Sequence, residues 1–122
     1  MKLTIHSDGL AGWAKRARVR AGKIDRGEPI EPEMTITFEN PLAMAEVLTK
    51  QRLRLIETVK QRPASITSLA SVLRRDPKSV RRDISKLERV GVLRTRQQVN
   101  PGHGKIKIVE PVAKKYSLTA AF

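Results

Sequence analysis

The sequence predicts an α+β, mostly helical chain, with a strand-helix-strand arm ahead of a helix-turn-helix and a β-hairpin. Three observations lead there. Leu3 and Ile5, and later Met34, Ile36 and Phe38, alternate with polar residues at strand period. Apolar residues recur at helical spacing over residues 9 to about 26 and again after Asn40. From Ser65, two short helical patterns are separated by about three residues and followed by two strand patterns around Asn100-Pro101-Gly102-His103-Gly104.

Within the arm, residues 1–7 form one strand, and Met34 to Phe38 is its candidate partner. Between them, Leu10, Trp13, Ala14, Ala17, Ala21 and Ile24 fall at helical spacing, while Lys15, Arg16, Arg18, Arg20 and Lys23 fall elsewhere. Asp8 is placed to cap this helix, and Gly27-Glu28-Pro29-Ile30-Glu31-Pro32 ends it with linker chemistry. About 40 residues are too few to bury their own apolar face comfortably. Residues 1–40 are therefore expected to pack on the second part or on a second copy. Leu10, Trp13, Ala17 and Ile24 are the candidate dimer or partner contacts. The basic residues Lys15 to Lys23 fit a solvated face, an acidic partner or phosphate contacts, and all three readings stay open.

Residues 41–122 form the second part. Asn40 before Pro41 is a helix start, because asparagine caps well and proline has no N–H to lose at the first position. Leu42, Ala45, Leu48, Leu53, Ile56 and Val59 mark the expected inner face as far as Pro63, with room for a break near Thr49. Ser65 or Thr67 caps the next helix, whose Ile66, Leu69, Ala70 and Leu73 share a face running to Arg75. Asp76-Pro77 opens the following one. There Val80, Ile84, Leu87 and Val90 form an apolar side, and Lys78, Ser79, Arg81, Arg82, Ser85 and Lys86 lie opposite. This division suits a helix that docks on a core and turns guanidinium forks and hydroxyls towards base edges and phosphates.

Gly91 ends that helix, and Val92–Val99 and Lys105–Val109 form a ribbon bearing Arg94, Arg96, Lys105 and Lys107. A recognition helix leading into such a ribbon is a winged helix, and cations on the ribbon suit contacts beside the helix. His103 serves either the turn geometry or a wing-tip contact, and His6 reads as a strand residue.

Charge supports the same part of the chain. The net charge is +13; residues 1–40 hold 7 basic and 6 acidic groups, and residues 41–122 hold 18 and 6. Polyanion binding is thus expected of the C-terminal two-thirds, and it should be sensitive to salt. Aromatics at 3% leave no platform for stacking single-stranded bases. Without cysteine, disulfides, thiolate chemistry and Cys-based zinc sites are excluded. Two isolated histidines and scattered acids match no catalytic constellation, so no enzyme activity, cofactor or metal is expected. The start has no signal-peptide pattern, and no apolar run reaches membrane-spanning length, so a cytoplasmic protein without membrane attachment is expected.

Residues 65–109, above all Ser79 to Leu93 with its Arg81-Arg82-Asp83-Ile84, resemble small prokaryotic winged helix-turn-helix regulators of the MarR, ArsR and DeoR kinds. The resemblance implies DNA contacts from Ser79, Arg81, Arg82, Ser85 and the wing. It implies neither ligand control by a sugar-sensing domain nor metal sensing, since that domain and the Cys and His clusters have no counterpart here. Some similar short proteins are antitoxins. Double-stranded DNA and a second copy are therefore the expected partners, with a protein toxin as the alternative. RNA binding through charge alone is a third reading, disfavoured because a recognition helix cannot enter the narrow A-form groove.

Overall fold

The structure is a computed structural model and describes residues 1–120. It holds five helices and six strands among the described residues, divided into two compact units. The first is Met1–Glu46 with the chain from Ala113 onward; the second is Val47–Val112. The segment after Val112 thus joins the arm's unit rather than the second part.

In the first unit, β1 (Lys2–His6) is the middle strand of a parallel sheet, between β2 (Glu33–Thr37) and β6 (Lys115–Thr119). The strand β6 has no counterpart among the sequence expectations, although Tyr116 and Leu118 alternate in the required way. Register sets Leu3 beside Met34 and Tyr116, and Ile5 beside Ile36 and Leu118, so one face of the sheet is apolar. Being central, β1 buries Leu3, Thr4 and Ile5 in succession instead of being half-buried by alternation. The Thr4 hydroxyl donates to a Glu33 carboxylate oxygen, which compensates its burial.

Two parallel strands cannot be joined by a tight hairpin, and α1 (Gly9–Asp25) makes the crossover from β1 to β2. The turn into α1 is sealed by backbone bonds from Gly9 N–H to Phe38 C=O (3.0 Å) and from Phe38 N–H to His6 C=O (2.8 Å). Gly9 has φ +66°, and a Cβ there would lie 2.9 Å from the Glu39 carbonyl oxygen. The expected cap fails at Asp8. Its backbone (φ −101°, ψ 11°) is not the extended form that aims a side chain at the helix N–H groups, and its carboxylate pairs with Arg16 instead. That hydrogen bond holds the Asp8 carboxyl below the ordinary carboxylate range. After the linker and β2, α2 (Pro41–Val47) starts as expected, with Asn40 Oδ1 accepting from Ala43 N–H at 2.8 Å.

The second unit packs α3 (Lys50–Gln61), α4 (Ile66–Leu73) and α5 (Pro77–Val90) with an antiparallel sheet of order β3 (Ala64–Ser65), β5 (Gly104–Pro111), β4 (Leu93–Asn100). Its core is aliphatic: Leu55, Ile56 and Val59 from α3, Leu69 and Ala70 from α4, Val80, Ile84 and Leu87 from α5, and Val92, Leu93 and Val109. The break near Thr49 is real, and the Thr49 hydroxyl caps α3 by accepting from Arg52 N–H. That break corrects the inner face: α2 has its own register, so Met44 is buried while Leu42 and Ala45 are exposed, and Leu55 joins the core of α3. Ser65 rather than Thr67 caps α4, which stops at Leu73 because Arg74 turns left-handed (φ 54°). Gly91 (φ 96°) ends α5 in a Schellman turn, with Val92 N–H bonded to Leu87 C=O and Gly91 N–H to Glu88 C=O. Replacing it with a residue bearing Cβ forces a left-handed conformation on a non-glycine residue. Gly91→Ala is expected to lower stability by about 1–2 kcal/mol in urea unfolding.

Candidate nucleic-acid interface

Helix α5 divides its side chains as its spacing requires. Val80, Ile84 and Leu87 are buried and Val90 is half-buried, while Lys78, Arg81, Arg82 and Ser85 are exposed. Lys78, Arg82, Ser85 and Arg89 follow one another at steps of four, three and four residues, which makes a single outward stripe. Arg89 was missing from the sequence expectations, yet the same spacing rule finds it. Lys86 is half-buried on the flank of the stripe.

Ser79 and Asp83 lie on the side of α5 turned towards α3 and the α4–α5 turn. Asp83 is 9% exposed although ionic. Its Oδ1 accepts from Arg52 Nε on α3 at 3.0 Å, and its Oδ2 accepts from Arg75 Nη2 in the turn at 2.6 Å. The same Arg75 nitrogen donates to Ser79 Oγ at 2.8 Å, and Arg52 Nη1 donates to the Val47 carbonyl at 3.0 Å. One carboxylate thus ties α3 and the α4–α5 turn to α5. The Ser79 hydroxyl oxygen is engaged internally, so it is not turned out with the stripe. Sequence reading treated Asp83 as part of a family-like string and gave Arg52 and Arg75 no role. Two arginines and an aspartate look like surface until the tertiary fold brings them together.

The ribbon sorts its cations by face. Arg94 is opposite Glu110 and Arg96 opposite Ile108, whereas Gln97 is opposite Lys107 and Val99 opposite Lys105. Side chains directly opposite share a face, and successive ones alternate. Arg94 and Arg96 therefore lie on one face of the ribbon and Lys105 and Lys107 on the other. The lysine face continues from Leu93, Thr95 and Val109, and Thr95 donates its hydroxyl to Glu88 on α5 at 2.6 Å. Lys105 and Lys107 line a cleft of about 360 Å³ with Thr67, Arg81, Ser85 and Glu88, so helix and ribbon form one basic concavity.

Arg94 and Arg96 belong to a different arrangement. Arg94 Nε reaches Glu110 Oε1 at 2.8 Å and Arg96 Nε reaches Glu110 Oε2 at 3.0 Å. Partial burial pushes the Glu110 carboxyl up, and the Arg96 and Arg94 guanidiniums outweigh this and hold it below the ordinary range. These two arginines face away from the cleft and share the one Glu110 carboxylate, which offsets one of their two charges. His103 is exposed in the turn at the ribbon tip, where its N–H bonds the Asn100 carbonyl at 2.8 Å.

Comparison with known proteins gives the fold a context. The model of the family HVO_A0114 matches residues 47–111, slightly more than half of the chain. No curated protein matches. Among solved structures, ZitR of Lactococcus lactis, in complex with DNA, is similar at TM-score 0.50 and 12% identity, covering 88% of this chain and 68% of that one. A possible transcriptional regulator from Methanosarcina mazei has TM-score 0.49 and 25% identity over 59% of this chain and 68% of that one. A homodimeric winged helix-turn-helix DNA-binding domain from Mycobacterium bovis, possibly of the ArsR family, has TM-score 0.47 and 11% identity, covering 81% and 72%. The chain has the winged helix-turn-helix fold that its sequence predicts.

Removing the Asp83 carboxylate takes a shared acceptor away from two partly buried guanidiniums. Asp83→Ala is expected to cost about 3–5 kcal/mol in urea unfolding. A loss of under about 1 kcal/mol would instead place this pair with ordinary surface ion pairs.

Proposed function

The chain belongs to the HVO_A0114 family, and from that premise we propose that it binds double-stranded DNA site-specifically and regulates transcription, as a repressor. One observation carries this reading. Arg81 and Ser85 of α5 and Lys105 and Lys107 of the ribbon line one basic concavity, with the stripe of Lys78, Arg82, Ser85 and Arg89 exposed along its helix side, while the hydrophobic side of the same helix is locked into the core. A helix so presented fits a major groove, with Arg81 and Arg82 near its start able to take guanine O6 and N7. The ribbon lysines reach the flanking backbone. Two copies on half-sites about 34 Å apart supply the specificity that one short helix lacks.

The reading is tested by selection from a randomised duplex library at two salt concentrations, with random DNA as competitor. Enrichment of a palindromic motif that survives the higher salt supports it, and binding that vanishes with salt and selects no motif overturns it. Within a selected site, Arg82→Ala is expected to cost about 1–3 kcal/mol and to relax preference at one position. An equal loss on random DNA would make Arg82 a phosphate contact. Lys105→Ala and Lys107→Ala are expected to weaken all sequences alike, each lowering the salt slope by about 1. Arg94→Ala and Arg96→Ala, on the opposite face, are expected to change affinity by less than half as much in the same titrations.

A second reading is an antitoxin that neutralises a toxin protein and represses its own operon. It is favoured by the first unit, where α1 turns an apolar face outward. A small toxin-like reading frame beside the gene, whose product co-purifies with this chain, is its test.

A further inference from the structure

Helix α1 is exposed along most of its length: its polar side borders the linker groove, and its apolar side is open to solvent. Arg16, Val19, Arg20 and Lys23 line a groove with Ile30, Glu31 and Glu33, so Arg20 stands at the boundary between this groove and the other side of the helix. On the other side Leu10 is 79% exposed, Trp13 51% and Ile24 61%, and Ala17 and Ala21 are exposed between them. These five residues form one strip about 21 Å long and about 10 Å across. Globular packing selects the opposite orientation for an amphipathic helix, so the strip marks a surface that something covers.

The chemistry of the strip says what covers it. Ala14, Ala17 and Ala21 make a trough beside Trp13, a shape that receives side chains from a packed protein surface. Nucleic acid offers no apolar knobs for such a trough. A lipid surface calls for bulk such as Leu and Phe where α1 has alanine. The margins carry cations. Arg20 borders the strip on one side and Arg18 on the other, and neither has an ion pair among the described residues, whereas Arg16 is held by Asp8 and Thr37. A second copy fits these margins poorly. Laid antiparallel about Ala17 it sets Arg18 beside Arg18 and Arg20 on the same margin as Arg20, and laid parallel it sets Arg18 opposite Arg20. The strip is also well short of the roughly 800 Å² per partner that a stable dimer buries. Carboxylates opposite Arg18 and Arg20 supply the complementarity that the small apolar area lacks.

We propose that the outward face of α1 docks an acidic protein partner, whose apolar side chains seat against Trp13 and the alanine trough and whose carboxylates meet Arg18 and Arg20. The inference rests on the second reading above for the existence of a protein partner, and it adds where and by what chemistry that partner binds. DNA binding through α5 is independent of it.

The test places a benzophenone photo-crosslinker at position 17 of the full chain in its host cell, identifies the adduct by mass spectrometry, and titrates the purified adduct partner against the chain. A net-acidic protein is expected. Its affinity is expected to fall by about tenfold or more with Trp13→Ala, and likewise with Arg18→Glu combined with Arg20→Glu. Circular dichroism and DNA binding should stay at wild-type level, since these side chains are exposed. An adduct with a second copy overturns the proposal, as does capture by phosphatidylglycerol vesicles or a partner that binds equally well after charge reversal. Lack of any adduct overturns it too. If a partner still co-purifies in that case, the second reading survives with a different surface.

Discussion

A carboxylate held between two guanidiniums fixes the start of α5. Arg52 comes from α3, Arg75 from the turn, and Asp83 from the helix itself, so no two of these segments can shift without straining the third. Charge-assisted bonds at 2.6 and 3.0 Å offset the cost of withdrawing three ionic groups from water, although Arg75 Nη1 is left buried without a hydrogen-bond partner. An aliphatic core alone tolerates sliding, because Val80, Ile84 and Leu87 attract their neighbours without direction. The cluster adds direction where the outward stripe begins.

The same logic separates the two faces of the ribbon. Glu110 draws Arg94 and Arg96 to one side, and Glu88 anchors Thr95 and with it the lysine face on the other. Of four cations on the ribbon, Arg94 and Arg96 share one carboxylate that offsets one of their two charges, and Lys105 and Lys107 line the cleft. Net charge overstates what a polyanion meets. The distribution over faces, set by an antiparallel register, decides which positive groups take part.

Much of this was legible in the residues. Helical spacing, Asn40-Pro41, Ser65, Pro77 and Gly91 mark element ends because caps, a first-turn proline and left-handed glycine act locally, although Asp76 ahead of α5 makes no side-chain cap bond. What escaped depends on distant partners. The strand β6 pairs with a segment more than a hundred residues earlier, and β3 is two residues long and exists only by its bonds to β5. Asp83 looks like a surface residue until Arg52 and Arg75 arrive. The ribbon's sidedness needs its register, which composition cannot supply. The direction of α1's apolar strip was hidden for a different reason: periodicity identifies a face but not whether the fold turns it in or out.

The connectivity of the parallel sheet also orders events on the ribosome. The middle strand, β1, leaves the exit tunnel ahead of both its neighbours, and one of them, β6, is made only after all of Val47–Val112. All of Val47–Val112 is synthesised in the interval, so the winged unit has its full complement of strands and helices before the unit that flanks it in sequence can close. During translation, the edge of β1 that β6 later covers stays open while the whole winged unit is made. Its length of five residues and the charge of Lys2 work against edge-to-edge pairing in that interval.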